Sequence, residues 1–156
     1  MILPVLVWLL QDIMQVIFMG IFIVPEIFLL ALIFAGLQPE SERGHTFGWY
    51  IIVGFVGGLL WDLRWTNIIG LTAALNSTLI ALVFILWHLI PAPGRNDKTF
   101  AACALLAQFV SATIHALLWT VSNAVAIRLF VIQQLIGVAQ ILLLSFIYKK
   151  AIYRHA

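Results

Sequence analysis

Charge is what this sequence has least of. Of 156 residues eight are basic and six acidic, 9% in all, against 64% hydrophobic and a mean hydropathy of +1.13. A soluble domain carries about 25% charged residues, so a water-soluble enzyme domain is excluded. Cysteine occurs once, at Cys103, which excludes an intramolecular disulfide and any cysteine-based metal site. No basic residue precedes Arg43, and Asp12 interrupts the first apolar run, a pattern unlike a cleaved signal peptide. HExxH, GxSxG and carboxylates paired at helical spacing are all missing. Asp12, Glu26 and Asp62 stand singly on different segments. The expectation is therefore a chain with no catalytic residues, no metal centre and no cofactor.

The few charges that exist serve as a ruler. Each one at mid-bilayer costs about 2.5–3.5 kcal/mol on insertion scales, so charges mark loops and interfaces. Uncharged stretches cover 44–61, 65–94, 99–127 and 129–148, each long enough for a membrane crossing. Residues 1–37 are apolar except for Asp12 and Glu26, and are too long for one crossing without unusual tilt. A division at Gly20 gives two short helices, with Pro25 and Glu26 in the first turn of the second, where proline and an acidic group both suit a helix start. The predicted architecture is all-α: one polytopic membrane domain over 1–156, with spans at 2–19, 22–37, 47–62, 67–89, 99–121 and 124–148.

Loops fall at 38–46, at 91–98 and at 62–67, where Pro39, Gly44, Pro91, Pro93 and Gly94 supply the turn chemistry of the first two. Asn67 is placed to cap the fourth span, Asp97 the fifth, and Ser122 or Asn123 the sixth. With the N-terminus inside, the inner segments hold Arg43, Arg95, Lys98, Lys149, Lys150 and Arg154, and the outer ones only Arg64 and Arg128. That bias places both termini on the inner, cytoplasmic side of the membrane. Trp49, Tyr50, Trp61, Trp65, Trp87, Trp119 and Tyr148 fall near helix ends, as an aromatic belt requires. The net charge of +2 then reflects topology, and nucleic-acid binding is not expected.

Polar and small residues recur at helical spacing. They are Gln11, Asp12 and Gln15 on the first span, and Asn67, Gly70, Ala74, Ser77, Ala81 and His88 on the fourth. The fifth carries Ala101, Ala104, Gln108, Ser111 and His115, and the sixth Gln133, Gly137 and Gln140. In lipid such faces turn inward, since small residues let backbones approach and amides or hydroxyls hydrogen-bond between helices. Packing is their commoner role. A polar interior for a small ligand or a proton path, formed by Gln11, Asp12, Gln108, His115, Gln133 and Gln140, is the sharper alternative.

The third span is the most distinctive. It holds Gly48, Gly54, Gly57 and Gly58, with Gly54 and Gly58 forming a GxxxG, and Asp62 follows just past its apolar run. Asp62 reads either as an interfacial aspartate bonded to nearby backbone or to Arg64, or as a contact for a partner. The run from Gly54 to Leu63 (GFVGGLLWDL), followed by Gly70 to Leu75 (GLTAAL), resembles the G-F-x-x-G-L-L-x-D-L…G-L-x-A-L signature of the rod shape-determining MreD family. Gln11, the basic C-terminal end and Pro25-Glu26, standing where that family has Pro-Asp, are also similar.

The resemblance implies a non-enzymatic inner-membrane scaffold of the bacterial elongation machinery. Its implied partners are an MreC-like single-span protein and, with it, MreB, RodA and a class B penicillin-binding protein, which together direct lateral peptidoglycan synthesis. It also implies a fold similar to the six-helix substrate-binding component of energy-coupling factor vitamin transporters. Gly54, Gly57, Gly58, Asp62 and Gly70 would then serve helix packing or partner contact. A vitamin-capturing component is the main competitor, with Gln108, His115, Asn123 and Gln133 lining a pocket. Against it, residues 1–21 contain no alanine, whereas such components dock through an Ala-xxx-Ala stripe in the first helix. A small proton- or ion-coupled carrier using Asp12 or His115 ranks third.

Overall fold

The computed structural model describes residues 2–18, 21, 23–38, 45–66, 68–118 and 123–153. Among them the regular structure is entirely helical: α1 (Ile2–Ile17), α2 (Ile27–Gly36), α3 (Phe47–Trp65), α4 (Leu71–Leu89), α5 (Asp97–Leu118) and α6 (Asn123–Tyr153), with a short 3-10 turn at Ala92–Gly94. The last four are long and apolar enough to cross a membrane. At about 1.5 Å per residue, α1 and α2 span only about 24 and 15 Å, short of a hydrocarbon core of about 30 Å.

The described residues of 1–37 form two helices, as a division between them anticipates, although Gly20 itself lies outside the described residues. The second is shorter than expected, beginning at Ile27 where 22 was predicted. Pro25 therefore precedes the helix, and Glu26 occupies its N-cap position without capping it. The physical reason is that another side chain does the capping: Gln11 Oε1 on α1 accepts the Phe28 N–H at 2.7 Å, and Gln15 Oε1 accepts the Val24 N–H at 3.0 Å. Buried donors at a helix start must find partners, and here they find them on the neighbouring helix.

The short α2 is the hub of the fold. Its sequence, IFLLALIFAG, is apolar all round, and such a helix has no face to offer water. It packs against all five other helices, with Phe28, Leu29, Leu30, Leu32 and Ile33 buried. At its C-terminal end the Tyr148 hydroxyl donates to Leu37 O at 3.0 Å, while the Tyr148 ring stacks on Phe100 at 4.6 Å. Tyr50, Trp87 and Tyr148, expected in an aromatic belt, are thus core residues instead, each under 7% exposed. Trp119 lies outside the described residues. The outward surfaces are apolar, for example Leu135, Leu142 and Phe146 on α6 and Ile52 and Leu63 on α3.

Helix ends moved in both directions. α3 runs one turn past 62, so Asp62 is inside a helix and not in a loop; α4 begins four residues later than 67, because Gly70 adopts φ +91° just before it. Asn67 lies outside the described residues. α5 begins at Asp97, but its cap is Asn96, whose Oδ1 accepts the Thr99 N–H at 3.0 Å. Arg95 closes the preceding helix, donating to Ile90 O and His88 O at 2.9 and 3.1 Å.

The small-residue stripe predicted on α4 is not the inward one. Ala74 and His88 are exposed and Ser77 returns its hydroxyl to Ala73 O, while Thr72, Ala73, Asn76, Ile80 and Val83 are buried. α3 selects that face by packing on it. On α5, Ala104, Gln108 and Ser111 do turn inward, as do Gln133 and Gly137 on α6 and Gln11, Asp12 and Gln15 on α1.

Candidate functional site

Two helix joints and one polar cluster bring the distinctive residues together. At the α3–α4 joint, a Cβ on Gly58 would lie 2.6 Å from both Ala73 Cα and Ala73 N, and 2.7 Å from Thr72 C. Only a bare glycine lets α3 sit this close to the backbone of α4. Gly57 accommodates the Phe28 ring and Gly54 the Ile80 methyl, so all three glycines of the signature run are contact points.

The same joint places Asp62, which is fully buried, at the start of α4. Its carboxylate accepts the Thr72 N–H at 2.9 and 3.1 Å, the Ala73 N–H at 3.3 Å and the Thr66 hydroxyl at 3.0 Å. Gly70, at the N-cap, has no side chain with which to satisfy those donors. Asp62 replaces the missing cap from across the joint, and its charge suits the positive end of the helix. Of the two readings of Asp62, the structure therefore shows the bond to backbone, and the carboxylate is not exposed to a partner. Arg64 instead pairs with Asp12 on α1 at 2.8 Å, and the Trp65 indole donates to Asp12 Oδ1 at 2.8 Å.

The Trp8 indole donates to Gly57 O at 2.9 Å and completes the ties between α1 and α3. Apolar packing between these two helices is loose, leaving a groove of about 250 Å³ flanked by Val5, Trp8, Ile52, Val56 and Leu60. Polar ties therefore hold α1 in place. Arg64 is half-exposed and can hydrate if it loses its partner, whereas Asp12 is 5% exposed and cannot. Arg64→Met is accordingly expected to lower thermal stability in detergent more than Asp12→Asn does; equal or reversed losses would contradict this account.

The polar cluster lies between α1, α2, α4, α5 and α6. Glu26 is 5% exposed, and its Oε1 accepts from His115 Nδ1 at 3.1 Å. A carboxylate only accepts, so Nδ1 carries the proton of that bond and Nε2 is left to face Thr72 Oγ1 at 3.2 Å. Ser111 Oγ and Gln11 Nε2 reach Glu26 at 3.4 and 3.5 Å, long for hydrogen bonds. A connected series thus runs from Asp62 through Thr72 and His115 to Glu26. Gln108 is 1% exposed with neither amide atom paired, and Asn76, 2% exposed, has its Oδ1 unpaired. An unpaired buried polar group costs about 1–3 kcal/mol.

Gln11, His115 and Gln108 of the predicted polar interior belong to this region, and Gln133 is buried on α6. Asp12 belongs to the α1–α3 tie, and Gln140 sits one turn beyond Gly137 with its Oε1 unpaired. The side chain of Asn123 lies outside the described residues. Glu26, Thr72 and Asn76 were not singled out as site residues by sequence. A signal existed for Glu26, since an acidic residue within a long apolar stretch is costly unless buried in protein. Among the described residues no group of three or more His, Cys, Asp or Glu could hold a metal ion. Compared with protein-family models, curated proteins and solved structures, the chain matches none of them.

Proposed function

We propose that this chain is a non-enzymatic scaffold of the bacterial inner membrane, resembling MreD, that binds an MreC-like single-span protein and helps direct lateral wall synthesis. The reading rests on the run that resembles that family's signature, Gly54–Leu63 and Gly70–Leu75, together with what those residues do here. Gly54, Gly57 and Gly58 are closest-approach points, and Asp62 is spent on capping α4. They build a rigid helix pair and offer no reacting group. Such a protein acts through its shape and its apolar flanks. In this reading α1 and α2, though each is shorter than the hydrocarbon core, pair as the first two of six spans with both termini cytoplasmic, and RodA, MreB and a class B penicillin-binding protein join through the assembled complex.

Depletion in a rod-shaped host is expected to give round cells, and a single-span protein is expected to co-purify in mild detergent. Normal rods with loss of uptake of one vitamin would overturn the proposal. The vitamin-capturing reading has one observation in its favour, the buried and unpaired amide of Gln108 and Oδ1 of Asn76. It requires sub-micromolar binding of a small molecule to the purified protein, lost in His115→Ala.

A further inference from the structure

Leu30 of α2 packs with Ala104 of α5 and Ile141 of α6, which fixes the level at which these three helices face one another. One helical turn toward the start of α2 stands Glu26, already in reach of Ser111 on α5. One turn back along α6 from Ile141 is Gly137, and the Gln108 side chain lies flat against it: a Cβ there would be 3.0 Å from Gln108 Nε2 and 3.2 Å from its Cδ. Helix periodicity therefore sets Glu26, Gln108 and Gly137 about one turn from that level of the α2–α5–α6 seam, with Ser111 on the next turn of α5.

The polar groups at this level are under-satisfied in a consistent way. Gln108 offers an unpaired donor and an unpaired acceptor, and Glu26, whose Oε1 is paired with His115 at 3.1 Å, holds Ser111 and Gln11 at only 3.4 and 3.5 Å. On the adjoining face, Asn76 stands one turn along α4 from Thr72, which meets His115, so its unpaired Oδ1 approaches the level of Ser111. A cation would satisfy the oxygens but oppose Gln108 Nε2. A ligand that both donates and accepts suits both atoms of the Gln108 amide and the Glu26 carboxylate together.

We propose that this seam is a binding site for ordered water, with water donating to Glu26 and Gln108 Oε1 and accepting from Gln108 Nε2. Buried waters typically make about three hydrogen bonds to otherwise unpaired groups, the number available here. Gly137 makes room for the Gln108 side chain, because a Cβ there would press on its amide. The site is independent of the scaffold reading, since it concerns the interior and not the partner-facing surface.

The test is water-edited solid-state NMR on the full-length, 15N-labelled protein in lipid vesicles, with Gln108→Met identifying the Gln108 side-chain amide resonance by its disappearance. Magnetisation transfer from water to that buried amide is expected, and its absence would overturn the proposal. Thermal melts supply a second readout. If the amide is dry, the apolar near-isostere Gln108→Met relieves an unpaired group and raises the melting temperature, which would also overturn the proposal. If water occupies the site, Gln108→Met removes water's partners and lowers the melting temperature by about 2–4 °C. Should Gln108→Met fail to fold, Gln108→Ala assigns the resonance and the wild-type transfer decides.

Discussion

Gly58→Leu is expected to abolish assembly of the folded protein. The Cβ alone would sit 2.6 Å from the Ala73 backbone, which cannot rotate away as a side chain can, so α3 and α4 must separate. Overpacking in a close-packed interior costs about 1–3 kcal/mol when side chains can adjust. Here the shift also draws Asp62 away from the start of α4, so a loss at or above that range is expected. The neighbouring glycines make the argument quantitative. A Cβ at Gly54 would strike the terminal Cδ1 of Ile80, a flexible end, with Leu32 Cδ1 and the Asn76 backbone at ordinary contact distance, and one at Gly48 meets nothing within 4 Å. Gly54→Ala should therefore be mild and Gly48→Leu close to neutral. Size-exclusion chromatography and thermal melts in detergent measure the series, and a well-folded Gly58→Leu protein that supports function would overturn the close-approach account.

The second large effect is at Asp62. In Asp62→Ala the Thr72 and Ala73 amide hydrogens lose their acceptor inside a bundle, where water cannot replace it. Hydrogen bonds to a charged group contribute about 1.5–3 kcal/mol, and two buried donors are orphaned, so a loss of about 3 kcal/mol is expected. Asp62→Asn keeps one accepting oxygen but loses the charge that suits the helix start, and should cost roughly half as much. Hydrogen exchange separates this from general destabilisation: the Thr72 and Ala73 amides should lose protection first, ahead of the amides in the middle of α4. Uniform loss of protection along α4 would show that Asp62 does not act as its cap.

These two residues also show how far the sequence is legible. The glycine run and Asp62 stood out by spacing, and GxxxG correctly marked a close helix approach. Their neighbour was not legible, because glycine spacing says only that something comes close. That the something is the first turn of α4, and that Asp62 closes it in place of a side chain at Gly70, follows from the angle at which two helices meet. The α4 stripe failed for the same reason: Ala74, Ser77 and Ala81 share a face by periodicity, yet α3 and α5 cover the opposite one, carrying Thr72 and Asn76. On α5 a single polar face existed, and Gln108, Ser111 and His115 had only one way to turn.

By itself the sequence determined the helical class, the four long apolar segments and the inward turn of polar residues on α1, α5 and α6, but not on α4. Scarcity of charge decides these, since each depends on what a short stretch of chain can place in an apolar medium. Tertiary structure alone decided which polar groups meet. Glu26 and His115 are 89 residues apart in the chain, and they meet because α2, too apolar to face anything but protein, lies at the centre with every other helix packed around it. Two caps, Gln11 on α2 and Asp62 on α4, come from other helices, because the short buried joints leave donors that their own segments cannot satisfy.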